Sequence, residues 1–240
     1  MRIDIWSDYA CPFCYIGKRR LEHALSQFEA RDQVEVVFRS FQLDPNARVD
    51  LTRDIHDQLA VKYGMTREKA KEMNNQLAEQ ARGVGLEFNF DTVVHTNTFD
   101  SHRLSHFAAS KGKAKEMTER LLQAYFTDTV NIGDREVLAG LAAEVGLDAA
   151  ETAAVLDSDA YGDEVNNDIA AAQQLNITGV PFFVFNNKYA VSGAQPGPVF
   201  TEVLDTVWAE EQNTPALQVI GKPQSQAPDA EGCDDGSCNI

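Results

Sequence analysis

Apolar and polar residues alternate near the two ends of the chain and recur every three or four positions between them. At the start, Ile3 and Ile5 alternate with Arg2 and Asp4, which predicts a short strand over residues 2–6. Ser7, Asp8 and Tyr9 break that period. Cys14, Gly17, Leu21, Ala24, Leu25 and Phe28 then form the stripe of an amphipathic helix. Pro12 suits the first helical position, where its missing N–H costs nothing, and this puts Cys11 at or beside the N-cap. Val34, Val36 and Phe38 return to period two, so a β-α-β unit is complete by about residue 41.

From about residue 50 to 175 the pattern is helical, with no convincing strand. Ala70, Met73, Leu77, Ala81 and Val84 make one stripe, and Ala114, Met117, Leu121 and Tyr125 make another. A third joins Leu138, Leu141, Ala142 and Val145, with Gly146 as its C-terminal stop. Asp148 with Glu151 has the spacing of a capping pair for the next helix. Val165, Ile169 and Ala172 belong to the last helix of the block. These stripes read as packing surfaces, and their Met and Phe residues as core rather than site contacts. Period two then returns at Phe182–Phe185 and Tyr189–Ser192, with Asn186-Asn187-Lys188 as hairpin chemistry between them. A final helix follows Pro196 and Pro198, with Phe200, Val203, Leu204 and Val207 on one face. Periodicity fades from about residue 209, and Lys222–Gly232 has the composition of a flexible tail.

The expected fold class is therefore α/β, a sheet split by a large all-helical insertion. Its segments are residues 1–44, a helical block with its connecting helix over 45–175, a β-β-α return over 176–208, and a tail over 209–240. With 240 residues, 43% of them hydrophobic, the chain has ample material for a core. The formal charge of −16 would repel a phosphate backbone, so nucleic acid is not an expected partner. No apolar run approaches the roughly 18 residues of a membrane span, and no membrane partner is expected. The start of the chain carries no pattern of a secretion signal, so a cytoplasmic location is expected.

Four cysteines do not make a disulfide framework at this length, and in a reducing compartment paired cysteines point to catalysis or metal binding. Disulfide exchange needs a thiolate that attacks and a second thiol that releases the mixed disulfide. Cys11 and Cys14 at a helix start meet that need, with Cys11 on the exposed lip and Cys14 one turn inward. The unpaired N–H groups and partial positive charge of the helix N-terminus favour the Cys11 thiolate. Pro12 stiffens the turn, and Phe13 offers an apolar face but no hydrogen-bond donor to the Cys11 sulfur. Two plainer readings stand beside this one: half of a zinc site, or two buried apolar thiols. The place of the motif between a strand and an amphipathic helix favours redox chemistry.

Four motifs in order carry a family resemblance: Ser7-Asp8-Tyr9-Ala10-Cys11-Pro12-Phe13-Cys14-Tyr15-Ile16-Gly17, then Asn97-Thr98-Phe99-Asp100-Ser101-His102-Arg103-Leu104, then Thr178-Gly179-Val180-Pro181 with Phe182–Phe185, then Val191–Pro196. Over about residues 1–208 the chain resembles the DsbA-like branch of the thioredoxin superfamily, and most of all its FrnE-type cytoplasmic members. The resemblance implies a thioredoxin fold with a helical domain inserted between the second and third strands. It implies that Pro181 is a cis-proline facing Cys11 and Cys14. The Val180 backbone beside it would pair with an extended substrate chain, so Pro12, Phe13, Val180 and Pro181 are the expected substrate contacts.

The expected activity is reduction or isomerisation of protein disulfides through a Cys11–Cys14 dithiol/disulfide cycle. Phe13 stands where some relatives carry His, so a less oxidising pair than theirs is expected. No cofactor is expected. Protein disulfides and a cellular thiol reductant, with glutathione a candidate, are the expected partners. The alternative is a glutathione-dependent small-molecule isomerase or transferase of the same superfamily. Those relatives typically carry Ser where this chain has Cys11 and lack the second thiol. His102 either lines the cleft between the domains or bonds within their interface, and the second role is the commoner for a helix histidine. The other histidines show no metal spacing with the cysteines, and no metal site is expected. Cys233 and Cys238, separated by an acidic Asp-Asp-Gly-Ser, form a candidate auxiliary redox pair; the alternatives are an incidental exposed pair, a weak metal clip, or a four-thiol zinc site that joins both cysteine pairs.

Overall fold

The computed structural model describes residues 1–49 and 52–213. Strand β1 (Arg2–Ser7) leads into helix α1 (Pro12–Gln27), and β2 (Glu35–Ser40) closes the first unit. Seven helices intervene before the sheet resumes: α2 (Ile55–Tyr63), α3 (Arg67–Arg82), α4 (Phe99–Ser110), α5 (Ala114–Phe126), α6 (Arg135–Glu144), α7 (Ala149–Leu156) and α8 (Gly162–Gln174). The chain then forms β3 (Phe182–Phe185), β4 (Tyr189–Ser192) and α9 (Gly197–Asn213). The sheet order is β2-β1-β3-β4, with β1 parallel to β2 and antiparallel to β3. This is the thioredoxin fold with a helical insertion between its second and third strands.

The period-two pattern explains how the sheet is clothed. Ile3 and Ile5 point to one face, where they meet Leu21 of α1 and Phe200 and Leu204 of α9. Phe183 meets Phe200 edge to face with ring centroids 4.9 Å apart. Each such fully buried side chain contributes about 1.5–3 kcal/mol. Asp4 and Trp6 point to the other face, where α8 lies. The Trp6 indole N–H donates to the Asp168 carbonyl at 2.9 Å, and Arg39 joins the carboxylates of Asp4 and Asp168. Polar groups on this face are thus paired, as their burial requires.

A second, larger core sits among α3–α7 and takes Tyr15 and Ile16 from α1. Aromatic rings dominate its centre, with Phe88 stacked on Phe126 at 4.6 Å. The capping signals appear in place. The Asp148 side chain accepts the Glu151 N–H, and Gly146 takes a φ of +81° just beyond α6. Asn186 and Asn187 both have positive φ in the three-residue connection Asn186–Lys188, where the Lys188 N–H donates to the Phe185 carbonyl at 2.9 Å.

Two expectations need correction. Helix α9 runs to Asn213, past the point where apolar periodicity fades. Its last turns are held by polar contacts instead: Glu210 takes Lys188 and Tyr189, and Glu211 takes the Asn186 amide and the N-terminal amine. Met73 is not part of the buried stripe of α3 and is 45% exposed. The buried positions of that helix are Ala70, Asn74, Ala78 and Ala81, because the Asn74 amide is drawn inward to bond His56 at 2.9 Å.

Candidate active site

The junction of β1 and α1 sets the site. The Cys11 N–H donates to the Asp8 carbonyl at 3.1 Å, and Cys11 caps α1 with extended backbone while Pro12 occupies the first turn. The Cys14 N–H donates to the Cys11 carbonyl at 3.0 Å, which folds the second thiol back beneath the first. Both cysteines carry free thiols. The Asp8 N–H points at Cys14 Sγ, 3.5 Å away. Burial holds the Cys14 thiol well above the ordinary range, and the neighbouring Cys11 sulfur pushes it the same way.

The segment before β3 completes the site. Val180–Pro181 is a cis peptide, and the Cys11 thiol donates to the Val180 carbonyl at 3.5 Å. The Pro181 carbonyl is engaged by the Gly193 N–H at 2.8 Å. Gly17 permits this approach: a Cβ there would lie 3.0 Å from Pro181 Cγ and 3.1 Å from Phe183 Cζ. Two thiols at a helix N-terminus therefore face the backbone of a cis-proline turn, an arrangement suited to thiol exchange with an extended chain.

The profile of the DSBA-like thioredoxin domain matches residues 2–205. The chain belongs to this family. Relatives bracket it at different distances. The protein YwbO of Bacillus subtilis (strain 168) is 31% identical over 216 residues, covering 88% of this chain and 98% of YwbO. The crystal structure of the probable DsbA oxidoreductase SCO1869 from Streptomyces coelicolor is 42% identical with a TM-score of 0.85, covering 100% of this chain and 99% of that one. The structure of 2-hydroxychromene-2-carboxylate isomerase shares the fold at 12% identity and a TM-score of 0.65, over 90% of this chain and 100% of that one.

For a DSBA-like chain, the placement of the dithiol departs from expectation in one respect. Cys11 does not sit on an exposed lip: it is 3% exposed, as is Cys14. The Cys11 thiol is turned onto the Val180 carbonyl beside a cleft. That cleft, about 740 Å³, is lined by Cys11, Pro12, Phe13 and Val180 on one side and by α2 and α3 on the other. The structure thus brings together Cys11, Cys14, Pro12, Phe13, Val180 and Pro181. Cys233 and Cys238 lie outside the described residues. Among the described residues, no group of three or more His, Cys, Asp or Glu side chains is arranged to hold a metal.

His102 lies elsewhere. It is buried, packs against Tyr9 with the rings tilted and their centroids 4.8 Å apart, and lines a separate cavity of about 230 Å³ between β2 and helices α4 and α5. Its Nε2 is 3.5 Å from Asp8 Oδ1 without the alignment of a hydrogen bond. The motif around it is chiefly structural. The Asn97 side chain accepts the Phe99 N–H and donates to the Pro45 carbonyl, both at 2.8 Å. Arg103 ties α4 to the turn before α8 through the Ala160 carbonyl at 2.8 Å.

Sequence reasoning assigned no site role to Asp8, Gly17, Met73, Phe90 or Phe126. Asp8 is buried and accepts the Leu43 N–H at 2.8 Å, which pins the segment after β2 against the dithiol turn. Its position between the strand and Cys11 was the available signal. Gly17 was visible in the α1 stripe and at the end of the first motif, but its role against Pro181 is a tertiary contact. Met73 lines the cleft, contrary to its assignment as core, as do Phe90 and Phe126. Phe90 and Phe126 serve both purposes, being buried and forming the cleft floor.

Proposed function

We propose that the protein is a thiol–disulfide oxidoreductase that reduces or isomerises disulfides in polypeptides through Cys11 and Cys14. The carrying observation is the pair of free thiols at the α1 N-terminus beside the Val180 carbonyl and cis-Pro181. In the first step the Cys11 thiolate attacks one sulfur of the substrate disulfide. A mixed disulfide forms and the other substrate sulfur leaves as a thiolate that takes up a proton. Cys14 then loses its proton and attacks Cys11 Sγ. The second substrate thiol departs, and Cys11 and Cys14 are left joined. A cellular thiol reductant such as glutathione returns the two electrons. In isomerisation a substrate thiol resolves the mixed disulfide instead, with no net electron transfer.

A second reading is a glutathione-dependent small-molecule isomerase or transferase. A cleft of about 740 Å³ lies within the size range of small-molecule sites, which favours it. The retention of both thiols favours the first reading. Among the described residues no helix is long and apolar enough to cross a membrane.

The deciding experiment is turnover of insulin disulfides with a thiol reductant, for wild type and Cys11→Ser. The expected result is multiple turnovers that vanish in the variant. No turnover by wild type would redirect the assignment to glutathione conjugates. A Cys233→Ser, Cys238→Ser variant in the same assay reads the tail pair: a lower rate with the same reductant supports an electron-relay role, and an equal rate removes it.

A further inference from the structure

Among the described residues, seven large apolar side chains are exposed: Phe13, Leu43, Val49, Val61, Tyr63, Met73 and Leu175. Five of these, all but Val49 and Leu175, line the cleft that holds Cys11. Exposed apolar residues scattered singly need no explanation, but a group gathered around a reactive thiol does. Val61 and Tyr63 come from the last turn of α2, and Met73 from the second turn of α3. Helix α3 packs inward through small residues and Asn74, so its long unbranched Met73 and half-buried Leu77 remain on the cleft side. Phe13 and Leu43 face them from the dithiol side.

The charges that line the cleft narrow the occupant. Asp8 and Asp44 are acidic; Lys62 and His95 are basic, and His95 Nε2 already lies 3.6 Å from Asp44. One lysine is a poor match for a ligand with several carboxylates, and the −16 charge of the chain adds repulsion. Glutathione disulfide carries four carboxylates. A polypeptide segment with apolar side chains beside its cystine instead presents neutral backbone to Val180 and a side chain to the apolar wall.

Resting on the thiol–disulfide reading above, we propose that the α2–α3 hairpin is the specificity element of this protein. Val61, Tyr63 and Met73 grip an apolar side chain next to the substrate cystine. The preferred substrate class is a cystine-bearing polypeptide segment with apolar and uncharged or basic flanks. Acidic flanks and glutathione disulfide are disfavoured. The methionine suits this role because its flexible, polarisable side chain adapts to differently shaped partners.

The test uses the full chain and three disulfides: a cystine peptide with Leu and Phe flanks, the same peptide with Glu flanks, and glutathione disulfide. Reduction is followed by chromatography, with kcat/KM obtained for each. Wild type is expected to favour the apolar peptide over the acidic one by about tenfold or more, the worth of one well-buried side chain. Met73→Gln and Val61→Ser each lower that ratio severalfold. Both positions are exposed and both replacements are compatible with a helical surface, so folding is retained and is checked by circular dichroism. Leu175→Glu, at an exposed apolar position outside the cleft, leaves the ratio at its wild-type value. Equal wild-type rates for the two peptides, or an unchanged ratio in Met73→Gln and Val61→Ser, overturn the proposal while leaving the thiol–disulfide reading intact. Failure of wild type to reduce any of the three disulfides overturns both.

Discussion

Burial and the Cys11 sulfur hold the Cys14 thiol protonated, while the Ser7 hydroxyl and the Asp8 N–H oppose them without prevailing. In the mixed disulfide Cys11 carries no thiolate charge, so burial is left as the main force holding Cys14 protonated, and Cys14 must give up that proton before it releases the substrate. Resolution should therefore be the slow, pH-dependent step. Below the Cys14 pKa the reactive thiolate fraction rises about tenfold per pH unit, so the resolution rate should still be climbing at about pH 9. Acid-quenched single-turnover samples analysed by mass spectrometry measure it. A rate that is flat from about pH 7 to 9 would contradict this account. Cys14→Ser should leave the mixed disulfide trapped throughout. Two intervening residues and a proline announce this pair in the sequence. The burial of Cys11 does not appear there, because Val180, whose carbonyl takes its thiol, comes from far along the chain.

At the scale of elements, α8 is fastened to the sheet through Asp168. Burial pushes this carboxyl up, but bonds from His106 and the Ser40 N–H, with the Arg39 charge, outweigh it and hold it below the usual range. A depressed carboxyl contributes stability that is present above its unfolded value of about 4 and is lost as pH falls through the lower folded value. Asp168→Asn should cost about 1–3 kcal/mol near neutral pH, since the Ser40 N–H and Arg39 lose a charged partner. The difference from wild type should shrink as pH drops below about 4. Urea denaturation at pH 7 and at pH 3.5 tests both statements, and a constant difference would refute the linkage. Such ties explain what the pattern could and could not reveal. Strands β1 and β2 were legible from alternation, and β3 from a short continuous apolar run of the kind a strand covered on both faces carries. Helix α2 was not singled out, since only Ile55 and His56 of its residues are buried and its apolar Val61 and Tyr63 face the cleft. The rotation of α3 that frees Met73 depends on the Asn74–His56 bond, a tertiary contact with no signature in periodicity.

At the scale of the whole molecule, the charge of −16 acts on both stability and encounter. Like charges spread over one compact chain repel, and the repulsion is relieved when the chain expands. Raising salt from about 10 mM to 150 mM shortens the screening length from about 30 Å to 8 Å. Distant repulsions then fade while close pairs such as Arg39–Asp168 at 3.0 Å persist. The midpoint of thermal unfolding should consequently rise with salt over this range. The same field governs approach to the cleft. A basic cystine peptide should be reduced fastest at low salt and more slowly as salt is added. An anionic disulfide should show the opposite slope. Reading kcat/KM for both substrates across one salt series separates this field from contacts inside the cleft. Opposite slopes place the long-range charge in command of encounter. Two flat lines would mean that selection begins only once the substrate touches Phe13, Met73 and their neighbours.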